Sequence, residues 1–259
     1  MRRRGSFSRA VFIGTIIFLF MPLVVLVLYS FNDSRSGSWG GFSLRWYVKL
    51  FTDSPELWRA FGNSAVIALG SALVATAIGT LGAIGVNWYR FRLRSYLRTV
   101  TFLPMILPEI IIGVSLLVFF SGIGLKLGLF TVFVAHVSFN LPFVFLLVLA
   151  RLEEFDFSII EAARDLGANE TQTLLKVIVP ITMPGIVSGF LTAVTLSLED
   201  FVITFFVTGP GATTLPLFVY SAIRFGVSPV INALSVVMIL GTVALTWSMR
   251  NFLKYIAAK

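Results

Sequence analysis

Long runs without a charged residue constrain this chain more than any other feature. They extend from Ala10 to Asn32, Ala60 to Tyr89, Leu127 to Ala150, Val177 to Leu198, Phe201 to Ile223 and Phe225 to Met249, and a run from Thr99 to Gly124 is interrupted only by Glu109. A helix crosses about 30 Å of hydrocarbon with about 20 residues, so runs of this length suit membrane spans. Charged residues make up 12% of the chain and hydrophobic ones 57%, whereas soluble domains carry about 25% charged residues.

The runs predict an all-α polytopic membrane protein, a single transmembrane domain over residues 1–259 with six helices near 10–31, 62–89, 99–121, 128–150, 181–207 and 231–253. Between Thr208 and Val230 the residues Gly209, Pro210, Gly211, Pro216, Gly226 and Pro229 break a continuous helix, which leaves a loop with a short helix around Leu215 to Arg224. The first apolar run is too long for a signal-peptide h-region and no A-x-A site follows it, so it reads as a retained helix. With the N-terminus in the cytoplasm, 14 of the 20 Lys and Arg fall on the inner side, among them Arg90, Arg92, Arg94 and Arg98. That asymmetry predicts N-in and C-in, and it accounts for the net charge of +8 without nucleic acid. Trp88 and Tyr89 stand at an inner helix end and Tyr29 at an outer one, as interfacial anchors.

Several chemistries are excluded at once. There is no Cys and one His, so neither thiolate nor histidine-cluster metal sites are available. No G-x-x-x-x-G-K-[ST] is present, so the chain has no P-loop for ATP, and no nucleophile stands with a base as an enzyme would need.

The inner loop 151–180 holds half of the chain's 12 acids: Glu153, Glu154, Asp156, Glu161, Asp165 and Glu170. Ser158 and Glu161 have capping-box spacing, Gly167 suits a left-handed helix stop, and Asn169 to Gln172 offers a second box for a helix that ends before Pro180. The first of these short helices needs a surface on which to dock, and Ala162 and Ala163 permit close approach. Packing of this loop on its own bundle, with Glu161 only capping, is the plainer alternative.

Within the predicted spans lie Glu109, Glu199 and Asp200, with no Lys or Arg beside them. A charge at the bilayer centre costs about 3 kcal/mol even on the lenient insertion scale, so such acids face a cavity or a partner. Glu109 follows Pro104 and Pro108, which interrupt helical bonding. Ser188, Thr192, Thr195 and Glu199 form one row on the fifth helix, and Ser197, Asp200 and Thr204 a second row beside it. A net-negative path attracts a cation, and Phe201, Phe205 and Phe206 add aromatic faces. Protonation of the acids, pairing with Arg224 and pairing with a partner's basic residues are the competing explanations, and a substrate-facing role for at least one acid is favoured over them. His136, Ser138 and Asn140 on the fourth helix read as hydrogen-bonding bridges between helices.

Glu161-Ala162-Ala163, Gly167, Val177, Val179 and Pro180 resemble the EAA loop of the permeases of binding-protein-dependent ABC importers. Val177 and Val179 stand where that family usually has Ile and Leu. Ser197-Leu198-Glu199-Asp200-Phe201, Phe206-Val207-Thr208-Gly209-Pro210, Gly226-Val227-Ser228-Pro229, Asn232-Ala233-Leu234, Phe31-Asn32-Asp33-Ser34 and Trp46-Tyr47 resemble the permeases of spermidine/putrescine importers, with Glu109 and Glu199 where Asp is usual.

The resemblance implies a type I importer permease in the bacterial inner membrane, paired with a sister permease, two ATPase subunits that use ATP and Mg, and a periplasmic solute-binding protein. It implies that Glu161, Ala162, Ala163 and Gly167 dock on the ATPase, and that Glu109, Glu199, Asp200 and Phe201 line a polyamine pathway moved by alternating access. It further implies that Trp39, Trp46, Tyr47 and Trp58 meet the binding protein or anchor in the interface. Two other loads fit the same residues: another small cation or metal carried by an importer, or a proton-coupled substrate of a secondary transporter.

Overall fold

The computed structural model describes residues 6–34, 38–154, 156, 158–224 and 229–257. The arginines at 2–4 and the Gly226-Val227-Ser228 stretch lie outside the described residues. The described chain is helical, and its one β-feature is an isolated antiparallel bridge between Asn32 and Phe42.

Helices α1 (Ser6–Ser30), α2 (Arg45–Thr52), α3 (Pro55–Trp88), α4 (Arg94–Ile106), α5 (Glu109–Gly122) and α6 (Leu129–Glu153) follow one another in the first part of the chain. Then come α7 (Ser158–Asp165), α8 (Glu170–Thr173), α9 (Val179–Glu199), α10 (Val202–Val207), α11 (Leu215–Arg224) and α12 (Pro229–Ala257). By length and composition, four continuous described helices reach across a membrane, five if the pair α4 and α5 forms one span. The last expected span is α12, whose described apolar stretch is Pro229–Ala244.

The chain divides into two compact units, residues 1–56 with 219–259 and residues 57–218. In the first unit α12 packs on α1 and α2. The turn between α1 and α2 is organised by Asn32: the side-chain oxygen accepts from Gly40 N at 2.7 Å, the amide donates to Ser38 O at 2.8 Å, and the backbone carbonyl accepts from Trp46 Nε1 at 2.7 Å. Trp46 is only 2% exposed. This corrects the expectation that it meets a binding protein, because its ring is consumed inside its own unit, while Trp39 is exposed.

In the second unit the packing uses small residues, as expected where lipid removes the hydrophobic drive between helices. Val144 of α6 is fully buried between two glycines: a Cβ on Gly79 of α3 would lie 3.0 Å from it, and one on Gly189 of α9 would lie 3.1 Å away. One turn before Gly189, Gly185 lets α9 lie against the backbone of α6, where a Cβ would meet Leu147 O at 3.0 Å and Arg151 Cβ at 2.9 Å. An ion pair between Arg98 and Glu153 joins α4 to the end of α6.

Two expected helices are broken. The third span is not continuous over 99–121: Leu107 is extended (φ −74°, ψ 139°) ahead of Pro108, as the residue before proline must be, and α4 and α5 meet at 107°. The fifth does not run through 181–207. It ends at Glu199, Asp200 is extended (φ −63°, ψ 122°), and the short α10 follows.

The expected stop before Pro180 is also corrected. A π turn over Leu174–Ile178 carries α8 directly into α9, with Val179 N donating to Leu174 O. Pro180 has no N–H and its ring crowds the carbonyl four residues back, and the wider turn accommodates both. The helix expected around Leu215 to Arg224 is α11.

The contact at Gly185 is backbone against side chain and leaves no room to relax. Gly185→Val should cost about 1–3 kcal/mol by overpacking and lower the melting temperature of the purified protein; a melting curve that overlays the wild type would contradict close α6–α9 packing.

Candidate functional site

The site lies in the second unit, where the two helix breaks come together. Gly113 of α5 faces α10 so closely that a Cβ there would lie 2.7 Å from Phe206 Cδ2 and 3.4 Å from Ile203 Cα. Glu109 begins α5 immediately after its break, and Glu199 and Asp200 flank the other break. Glu109 is within electrostatic reach of both Asp200 and Glu199. The fold therefore brings Glu109 near the two acids at the other break. Phe201 is half-buried at the same break and packs on Phe205, with centroids 5.7 Å apart.

The three acids have different surroundings. Glu109 and Glu199 are exposed and make no hydrogen bond or ion pair among the described residues. Asp200 is 8% exposed and saturated. Its Oδ1 accepts from Ile203 N at 3.2 Å, and its Oδ2 accepts from Thr204 N at 2.8 Å, from the Thr204 hydroxyl at 2.6 Å and from His136 Nε2 at 3.1 Å. The carboxylate thus caps α10, satisfying N–H groups that hydrocarbon would leave bare.

The two polar rows separate accordingly. Ser188, Thr195 and Glu199 face outward, and Ser197, Asp200 and Thr204 are buried. His136 of α6 ties the buried row together through Nδ1 to Ser197 Oγ at 2.6 Å and Nε2 to Thr204 Oγ1 at 2.8 Å. Ser71 of α3 extends the chain of bonds to Ser197 at 3.4 Å. The basic partner of Asp200 is therefore the single histidine. The sequence marked His136 as a helix bridge but offered no means of pairing it with Asp200, which is 64 residues away. Ser138 bonds only its own helix, at Val134 O, and Asn140 is buried.

The loop 151–180 builds a second candidate surface. Asp156, rather than Ser158, supplies the carboxylate at the start of α7, accepting from Ser158 N at 3.0 Å; Ser158 itself is already helical. That bond, with help from the Ser158 hydroxyl, holds the Asp156 carboxyl below its ordinary value of 3.8. The cap is therefore complete above the ordinary value and is lost as pH falls through the lowered one.

Gly167 (φ +84°) closes α7 in a Schellman motif, with Gly167 N donating to Arg164 O and Ala168 N to Ala163 O at 2.9 and 3.0 Å. The second box forms reciprocally: Gln172 N donates to Asn169 Oδ1 at 2.8 Å, and Asn169 N to Gln172 Oε1 at 3.0 Å.

Helix α7 rests on the bundle through one buried residue, Ile160, and through the Arg164 guanidinium 5.6 Å from the Trp88 ring centroid. Glu161, Ala162 and Gly167 are exposed and Ala163 is half-buried. Leu166, which the sequence reading passed over, is 89% exposed at the turn. Beside α7 a cleft of about 410 Å³ is lined by Arg90, Arg94, Arg164 and Glu161.

Membrane helices broken at acids, with a capped helical turn projecting from one connecting loop, define an ABC importer permease fold. Comparison with solved structures agrees. The chain superposes on a chain of a bacterial ABC transporter involved in the import of the acidic polysaccharide alginate with a TM-score of 0.74 at 17% identity, covering 97% of this chain and 99% of that one. A chain of the MetNI methionine ABC transporter gives 0.58 at 21% identity, covering 77% and 94%.

Residues 75–259 match the family described as "Binding-protein-dependent transport system inner membrane component", and this chain belongs to that family of inner-membrane transport components. It is 40% identical over 237 residues to the spermidine/putrescine transport system permease protein PotC of Escherichia coli K12, covering 91% of this chain and 88% of the relative. It is 42% identical over 236 residues to the putrescine transport system permease protein PotI of the same organism, covering 88% and 83%.

At Gly167 a side chain must adopt a left-handed backbone, at about 1–2 kcal/mol. Gly167→Ala should therefore speed amide exchange over Ser158 to Leu166 about tenfold while leaving α6 unchanged; exchange equal to the wild type would mean that the motif does not hold α7 in place.

Proposed function

We propose that this chain is a permease subunit of an ATP-driven polyamine importer and forms half of its translocation path. The observation that carries the reading is the meeting of the two helix breaks, which gathers Glu109, Glu199, Asp200 and Phe201 with no Lys or Arg paired to the three acids among the described residues. A short chain of ammonium groups is the complementary ligand, met by carboxylates and aromatic faces. The names of the PotC and PotI relatives support the same load.

In this reading the chain has six spans with both termini in the cytoplasm, pairs with a sister permease, and receives solute from a periplasmic binding protein. ATP and Mg belong to two separate ATPase subunits. The exposed Glu161, Ala162 and Gly167, with half-buried Ala163, form the docking surface, and Leu166 adds an apolar anchor. Closure of the ATPase pair moves α7, and the motion passes into α6 and α9, the helices that flank the loop. The path then opens outward to accept solute and is reset by hydrolysis.

The assembly purified natively and placed in liposomes with its binding protein should take up labelled spermidine or putrescine only when ATP is supplied. Glu199→Gln should lower uptake at low substrate about tenfold or more, since a hydrogen bond between an ammonium group and a carboxylate is worth about 1.5–3 kcal/mol, with ATPase subunits still co-purifying. ATP-dependent activity without polyamine uptake would leave an importer of another solute, and uptake without ATP would favour a secondary transporter.

Leu166→Asp should release the ATPase subunits during purification without changing the fold of the permease. Retention of a full complement of ATPase would remove Leu166 from the docking surface.

A further inference from the structure

We infer that His136 is a positioning residue for transport: it holds the break at Asp200 in one conformation and joins that break to the coupling loop. The inference rests on the proposed importer reading for its meaning in transport, and on hydrogen bonds alone for its structural part.

The Thr204 hydroxyl donates to Asp200 Oδ2 and therefore accepts from His136 Nε2–H, while Ser71 donates to Ser197, which faces Nδ1. Each polar atom of the imidazole is thereby used, and the ring has one orientation. It bonds to α9 before the break through Ser197, to the break itself through Asp200, and to α10 beyond it through Thr204.

The same helix carries the other end of the linkage. His136 lies on α6, which continues as one helix through Pro142 to Glu153, where the coupling loop begins; the loop returns through the π turn into α9. Helices α6 and α9 are thus tied twice, by the loop at one end and by His136 at the other. Between the ties, Gly185 and Gly189 hold them in backbone-close contact. A displacement of α7 reaches the acids as motion of one packed pair; Thr131 carries the far end of α10 with α6, and His136 carries the end at the break. Without the ring, Asp200 still caps α10 through backbone N–H groups and the Thr131 hydroxyl of α6 still donates to Val207 O at the far end of α10 at 2.7 Å, but no hydrogen bond holds the cap itself to α6.

The test uses the absence of native cysteine. In the assembled transporter, Phe205→Cys on α10 reports beyond the break and Thr195→Cys on α9 reports before it, each read by the rate of labelling with a charged thiol reagent. His136→Leu should change the Phe205→Cys rate about tenfold and leave the Thr195→Cys rate within about twofold. His136→Gln, whose amide can still donate to Asp200, should return the Phe205→Cys rate most of the way. If the Leu variant does not assemble, Ser197→Ala, which removes only the hydroxyl that orients the ring, should shift the rate in the same direction.

In uptake, His136→Leu should lower Vmax about tenfold with KM nearly unchanged, and His136→Leu combined with Asp200→Asn should be no worse than Asp200→Asn alone. Unchanged Phe205→Cys labelling, equal shifts at both probes, or additive losses in the double variant would each overturn the inference. Failure of the wild type to take up any polyamine would overturn the substrate reading instead, and the labelling rates would still decide the role of His136.

Discussion

Hydrocarbon supplies no hydrogen-bond partners, and this one constraint shapes the rest of the molecule. A helix can be interrupted inside a membrane only if side chains replace the lost backbone bonds. Asp200 does this at one break, accepting from two N–H groups of α10, and the cost of burying its charge is offset by His136 and Thr204. The other break is enforced by Pro108 and places Glu109 at the head of α5, where the helix dipole favours an acid. Breaks and acids thus occur together for a physical reason.

Packing turns these local features into one device. Val144 fills the space opposite Gly79 and Gly189, and Gly113 admits Phe206, so close approach rather than hydrophobic drive holds α3, α5, α6, α9 and α10 in register. The loop 151–180 hangs from the same helices, anchored by Ile160 and by Arg164 over Trp88, with Glu161, Ala162 and Leu166 exposed. The π turn at Leu174–Ile178 matters here because it keeps the return limb continuous with α9 across Pro180.

Much of the site was legible in the sequence because it depends on local rules. A lone Glu109 after two prolines, Glu199-Asp200 in an apolar run, and Gly167 between two short helical segments each carry their meaning within a few residues. Trp46 was misjudged because its burial depends on the turn held by Asn32, 14 residues away. The stop assigned to Pro180 failed because a π turn leaves no pattern in hydropathy. Ser158 looked like a cap by spacing, but Asp156 lies two residues nearer the chain's entry and reaches the first N–H.

The sequence by itself determined the membrane class, the capped turn between two short helices and the three acids, since charge in hydrocarbon and φ at glycine are properties of single residues and short runs. Only the tertiary structure decided that these acids are not equivalent. Asp200 is a saturated cap and Glu109 and Glu199 are exposed, because the partner that distinguishes them, His136, arrives on another helix through packing that no local pattern encodes.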